Sequence, residues 1–573
     1  MESHEPSEEL KPLPGQQAGL WVREHRALIL FALLLLVVMP LRGYWSPDEP
    51  DFAQCVKEMR LRGEWLLPYL NGLPYSEKPI LYYWCMKLSA IGGEWITGGH
   101  GFIQGVAPWA LRLPSVAAAI AFMAGFQRWA ERFLQKDVAR LGVMILAATP
   151  LWFWQGQYIQ IDLLFCALLA WAWLQWLGGY LLLRGVKEAK DPGEAGRHFL
   201  AAYAFLALAF LAKGPLALVL SLLLVVPFLA WQRDWKALGG LRLGWGVLLF
   251  LLIAAPWSVM MAVKAGPHYV YELVVKQNFE RATHAFDHVQ PWYQYGLYLL
   301  SDFFPWVLLL PALGFFIFRS EAKRSPVVRF LLLAFLMPLL FLSWVQSKQG
   351  KYLLMAYPML ALLLAGMLQP VSVEGVSAAR IRRLGGTLAV GLGLLAIPLL
   401  LVAMGLGGPK VEAQAAAFHG LAWSLGILAA LGALSVGIRA WMGEGQFLVR
   451  ETALTLGLVF LIGGTWGFRK LDPQKDYKAW TAAAAPLMQG RQVFFWDEIR
   501  SGAMIYTDRL MPEIRRADEL AKVGPEDRLV VIRERWKEGH LGLTASGMAA
   551  FEPILEQPQG GDVWMLMKRK EPK

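Results

Sequence analysis

The sequence predicts an α-helical polytopic membrane protein of about 13 transmembrane helices, with a small α/β domain at its C-terminal end. Three observations carry this. The 573 residues are 56% hydrophobic and 17% charged, with 26 Trp, far from the composition of a soluble protein. The apolar residues gather into long runs with turn-rich or basic connections. After residue 468 the long runs stop and short apolar runs alternate with polar stretches.

Taken in order, residues 1–26 read as a cytoplasmic lead-in, with Pro12, Pro14 and several Glu and no secretory cleavage pattern. Residues 27–468 form the membrane domain, with spans centred near residues 34, 117, 146, 172, 206, 223, 252, 307, 336, 360, 396, 429 and 459. Between the first two lies a charged, turn-rich loop, residues 43–107, expected to be catalytic. Residues 469–573 form the α/β domain, with strands expected at Val493–Trp496, Leu529–Ile532 and Val563–Met567 and a helix over Glu513–Lys522.

Lys and Arg set the orientation, because short cytoplasmic loops are enriched in them. With the N-terminus inside, the inner loops carry Arg128, Arg132, Lys136 and Arg140, then Arg184, Lys187, Lys190 and Arg197, and four further clusters out to Arg450. The short outer loops carry only Lys213, Lys348, Lys351 and Lys410. The net charge of +11 is therefore a rim against anionic lipid, and a nucleic-acid partner is not expected. An odd number of spans puts the catalytic loop and the C-terminal domain on the same, periplasmic side. Of the three cysteines, Cys55 and Cys85 share the outer loop and could pair there.

Within the loop, Asp48-Glu49-Pro50-Asp51 opens an amphipathic helix that Gly63 stops, expected to lie along the membrane with Asp48 as its N-cap. Asn71-Gly72 is a hairpin turn, and Glu77-Lys78-Pro79 returns an acid and a base to the next helix start. Asp162 begins another span, and acids at such depth mark functional sites more often than solvated helix starts. Ala212-Lys213-Gly214-Pro215, Ser347-Lys348-Gln349-Gly350-Lys351-Tyr352 and a loop with Arg281, His284 and His288 gather cations on the same face, suiting a phosphate. Snorkelling of span-end Lys and Arg accounts equally well for any one of them. His284 and His288, four apart, are compatible with a divalent metal, but no clear third ligand accompanies them; no cofactor is otherwise implied.

The motifs Y-x-x-P-D-E-P at 44–50, N-G-x-P-Y-x-E-K-P at 71–79, A-K-G-P at 212–215 and S-K-x-x-x-Y at 347–352, with Asp162, resemble those of bacterial membrane glycosyltransferases of the GT-C fold. Within that class the chain is most similar to lipid A aminoarabinose transferases, with protein O-mannosyltransferases as more distant relatives. The resemblance spans residues 27–370 and implies inverting transfer of a sugar from a polyprenyl (undecaprenyl) phosphate donor to lipid A, in the bacterial inner membrane. Transfer to a protein or another glycan is the alternative, and a transporter of lipid-linked sugar a more distant one. The resemblance implies catalytic roles for Asp48, Glu77 and Asp162. It implies donor-phosphate contacts for Lys78, Arg281 and Lys348 beside Tyr352, with Glu49, Lys213, His288 and Lys351 completing the substrate-binding set. The chain departs from the family pattern at Asp51-Phe52, where relatives commonly carry R-Y, and at Gln277-Asn278, where they often carry E-H.

Overall fold

The computed structural model describes residues 14–280, 288–372, 377–406, 416–496, 499, 501–507, 509–520, 522–523, 528–533, 549–559 and 562–570. Every expected span centre falls in a helix or helical pair, beginning with α1 (Pro14–Val38). Nine described helices are long and apolar enough to cross a membrane, or eleven if each of two bent pairs is one span. Apolar side chains all round, with few charges, are what a bilayer-spanning helix requires.

The first bent pair is the informative one. Helix α5 (Lys136–Ala147) turns 69° into α6 (Pro150–Gly156), because Pro150 cannot continue the hydrogen-bond ladder. The chain then turns through residues 157–159, and Gln160 is extended before α7 (Ile161–Leu183) begins. That break carries residues 157–160 beneath the outer loop. Helix α7 is buried along most of its length among α4 (Pro108–Phe133), α8 (Glu194–Lys213) and the residues 350–368. Trp176, Tyr180, Phe228 and Phe330 stack and cross edge to face toward its C-terminal end, with centroids 4.9–5.7 Å apart.

The outer loop holds α2 (Asp48–Leu61), the hairpin β1 (Tyr69–Leu70) and β2 (Leu73–Pro74), and α3 (Leu81–Thr97). Asn71 and Gly72 both take positive φ, 53° and 84°, as a tight turn of the expected kind demands. Two expectations are corrected here. Asp48 lies in the first turn of α2, and the cap position belongs to Pro47 with no side-chain cap bond. Nor does α2 lie on a surface: Ala53, Cys55, Val56 and Met59 are fully enclosed. They pack in one cluster with Tyr82, Tyr83 and Met86 of α3, with Trp257 and Met261, and with Ile505 of the C-terminal domain. Cys55 and Cys85 are free thiols, Cys55 sealed in that core and Cys85 half-buried; sequence spacing carries no information on the Cα separation a disulfide needs.

The C-terminal domain is a five-stranded mixed sheet in the order β4-β3-β5-β7-β6, comprising β3 (Gln492–Trp496), β4 (Glu513–Ile514), β5 (Arg528–Arg533), β6 (Phe551–Gln559) and β7 (Asp562–Arg569). The three expected strands are present. The expected helix is largely not: Glu513–Ile514 pairs in parallel with β3, and among the described residues of that stretch only Ala517–Leu520 is helical. Strand β6, with prolines at 553 and 558, lies at the sheet's edge, where a missing N–H is tolerated.

The domain is fastened to the loop at several points. Asn71 exchanges hydrogen bonds with the Met511 backbone, its Nδ2 donating at 2.6 Å and its Oδ1 accepting at 2.9 Å. The buried Lys57 ammonium donates to the Ile505 and Thr507 carbonyls at 3.2 and 2.5 Å. Asp472 accepts from the Gly43 N–H at 2.8 Å and from Trp45 Nε1 at 2.7 Å.

Candidate active site

Glu49 is the knot of the outer loop. Its carboxylate, fully enclosed, accepts from Arg42 at 2.6 and 3.1 Å and from Arg112 at 2.9 and 2.6 Å. It also accepts from the backbone N–H groups of Trp45 at 2.9 Å and Ile159 at 3.0 Å. Burial alone would raise its pKa, but Arg112 and Arg42 outweigh that and hold it at about 2. The expected substrate contact from Glu49 is thus corrected: no face of the carboxylate is left for a ligand. Instead it joins the start of α2 to the turn before α7, through the Ile159 N–H, and so fixes Asp48 relative to Asp162.

Those two acids line a cavity of about 430 Å³ together with Asp51, Glu77, Lys78, Gln160, Lys213, His288, Lys351 and Tyr352. Gln160 Nε2 donates to Asp48 Oδ2 at 2.7 Å. Lys351 Nζ stands 3.6 Å from Asp48 and 3.9 Å from Asp162, bridging them. Lys213 pairs with Asp162 and lies 4.2 Å over the Tyr352 ring. Gly214, with φ +79°, turns the chain sharply enough to leave the Lys213 ammonium in the cavity between α8 and α9 (Leu216–Gln232). At the lip, Lys78 is paired with Glu77 at 3.8 Å.

The structure therefore brings together eight of the expected residues: Asp48, Glu77, Lys78, Asp162, Lys213, His288, Lys351 and Tyr352. Lys348 is placed otherwise. Its ammonium donates to the carbonyls of Gln290, at 3.0 Å, and Val345, and its own N–H donates to the His288 carbonyl at 3.0 Å. It braces the turn that presents Lys351 and does not line the cavity, the correction arising because carbonyls around the turn claim its ammonium. Arg281 and His284 lie outside the described residues. Among the described residues no three His, Cys, Asp or Glu side chains gather as metal ligands.

Sequence reasoning missed three contributors. Gln160 gives no sequence signal. Arg112, fully buried at the start of an apolar run, carries the signal of an ionisable group at membrane depth. Asp51 lines the cavity half-buried, where burial, Asp48 and Glu77 push its carboxyl up to about 7 against the opposing Ser501 hydroxyl.

Acids paired to cations around a cleft can neutralise a phosphate and steady a developing positive charge at one time. Known proteins are built on the same fold. Residues 78–260 match the family model described as dolichyl-phosphate-mannose-protein mannosyltransferase. An undecaprenyl phosphate-alpha-4-amino-4-deoxy-L-arabinose arabinosyl transferase of Edwardsiella ictaluri is 30% identical over 505 residues, covering 86% of this chain and 84% of its own. The protein of that name from Pseudomonas aeruginosa is 32% identical over 385 residues, 65% of this chain and 64% of that one. The crystal structure of ArnT from Cupriavidus metallidurans bound to undecaprenyl phosphate superposes with a TM-score of 0.71 at 18% identity, over 97% of this chain and 98% of that one. The chain thus has the GT-C fold and belongs to the family of undecaprenyl phosphate-alpha-4-amino-4-deoxy-L-arabinose arabinosyl transferases.

Proposed function

We propose that this chain transfers 4-amino-4-deoxy-L-arabinose from undecaprenyl phosphate to lipid A, at the periplasmic face of the bacterial inner membrane. The observation that carries the reading is the linked set Asp48, Lys351, Asp162 and Lys213 in one cavity beside the outer loop. The bias of Lys and Arg toward the opposite loops supports the periplasmic placement. The acceptor oxygen attacks the anomeric carbon, the bond from that carbon to the donor phosphate oxygen breaks, and the electron pair leaves with undecaprenyl phosphate. Lys351, Lys213 and Lys78 face the charge that grows on the phosphate, so their attraction is stronger in the transition state than before it. Asp48 stands where the acceptor arrives: it takes the proton of a hydroxyl acceptor, or orients a lipid phosphate that is already ionised. A single displacement inverts the anomeric centre and needs no enzyme nucleophile.

Mass spectrometry of lipid A from cells with wild-type protein, with Asp48→Asn and without either tests this. The wild type is expected to add the mass of one aminopentose, and Asp48→Asn to add nothing while accumulating normally and binding donor lipid. No gain on lipid A would move the acceptor to protein or another glycan. A gain that survives Asp48→Asn would overturn the catalytic assignment.

A further inference from the structure

The cavity holds four carboxylates, and three are matched. Asp48 is shared by Gln160 and Lys351, Asp162 by Lys213 and Lys351, and Glu77 by Lys78. Asp51 has no cation partner among the described residues. Its neighbours are two further acids, Asp48 and Glu77, and the Ser501 hydroxyl contributed by the C-terminal domain. A carboxylate with no cation beside it inside a partly dry cleft is costly, so a ligand that brings a positive charge to it is favoured. It stands three residues after Asp48 on α2, hence on the same face, with ~5–6 Å between the two Cβ atoms. That is about the width of one sugar ring.

We propose that Asp51 reads the sugar of the donor by receiving its amino group as an ammonium. The inference rests on the donor assigned above and adds the residue that selects it. With the anomeric carbon held at Asp48 and the phosphate among the lysines, an amine on the far side of the ring reaches Asp51. Its positive charge then answers the three clustered acids at once. A donor whose nitrogen is acylated carries no charge and leaves Asp51 unmatched, so discrimination comes from the penalty on the wrong sugar as much as from attraction to the right one.

The test uses purified full-length protein in lipid nanodiscs with two synthetic donors, undecaprenyl phosphate-aminoarabinose and its N-acetylated form, and lipid A as acceptor. Wild type is expected to prefer the free amine. Asp51→Asn is expected to raise KM for the amine donor by about 10- to 100-fold, the loss of one charged hydrogen bond, and to reduce the preference by a similar factor. Asp51→Glu, which keeps the charge, is expected to restore most of that preference. Binding of sugar-free undecaprenyl phosphate to Asp51→Asn reports whether the cavity is intact, and it is expected to equal wild type. An equal loss on both donors, or an unchanged preference, would overturn the role of Asp51 while leaving the transferase reading in place. Failure of wild-type protein to use either donor would overturn the donor assignment and this inference with it.

Discussion

Replacing Glu49 by Gln should destabilise the protein by about 3 kcal/mol, a value reached by two routes. Holding the carboxyl at about 2, against an ordinary 4.5, corresponds to about 3 kcal/mol of preferential stabilisation of the charged form in the folded state. Breaking a buried pair by removing one partner costs ~3–5 kcal/mol, because the other charge stays buried and unmatched. Here two guanidiniums, those of Arg42 and Arg112, would be left. The depressed value also sets the sign of the pH dependence. The contribution is complete above the unfolded value near 4.5 and is lost as pH falls through about 2. Equilibrium unfolding in mixed micelles, followed by tryptophan fluorescence at pH 7, measures the difference. The double variant Glu49→Gln with Arg112→Met should lose less than the sum of the singles, since the two share one network. Were Glu49→Gln as stable as wild type and defective only in KM for donor, the buried knot would be refuted and a direct substrate contact restored.

The other predictions concern residues around the cavity. Lys351→Met should lower kcat by ~10²–10³, the usual effect of losing one preorganised charge donor, with thermal stability kept; a loss confined to KM would mean that Lys351 only binds. Lys348→Met should leave donor KM within a few-fold of wild type and lower stability, because its ammonium holds backbone carbonyls; a large rise in KM would make it a phosphate ligand after all. Lys57→Met should speed amide hydrogen exchange in α2 and lower transfer, since the Ile505 and Thr507 carbonyls lose their donor; unchanged exchange would mean that the domain does not hold the loop.

What could be read from the sequence follows from the range of the forces involved. Spans are legible because the bilayer imposes composition residue by residue. The Asn71-Gly72 hairpin is legible because only such a pair takes positive φ twice cheaply. Asp48, Asp162, Lys213 and Lys351 could be singled out as charges where charge is expensive. Their roles could not, since role depends on partners distant in the chain. Asp48 and Glu49 are neighbours with opposite fates because Arg112, 63 residues beyond Glu49, pairs with Glu49 alone of the two. Lys348 and Lys351 part in the same way, one bound to carbonyls and one to carboxylates. The segment Glu513–Lys522 reads as polar helix in isolation, yet a parallel neighbour draws its start into the sheet.

The same distances explain why the C-terminal domain lies against the reactive loop. Helix α2 carries Asp48 and Asp51 on a face open to the cavity, so it cannot be held from that side. Glu49 fixes its first turn from below, through Arg42, Arg112 and the Ile159 N–H. Lys57, two turns later, fixes its far half from above, through carbonyls of residues 505 and 507. Between these two anchors the helix has little freedom to rock. A displacement of about 1 Å at a reacting group costs ~10²-fold in rate. Precision at Asp48 therefore depends on contacts from residues more than 400 positions away in the chain, and the C-terminal domain acts on the reaction by holding α2 still.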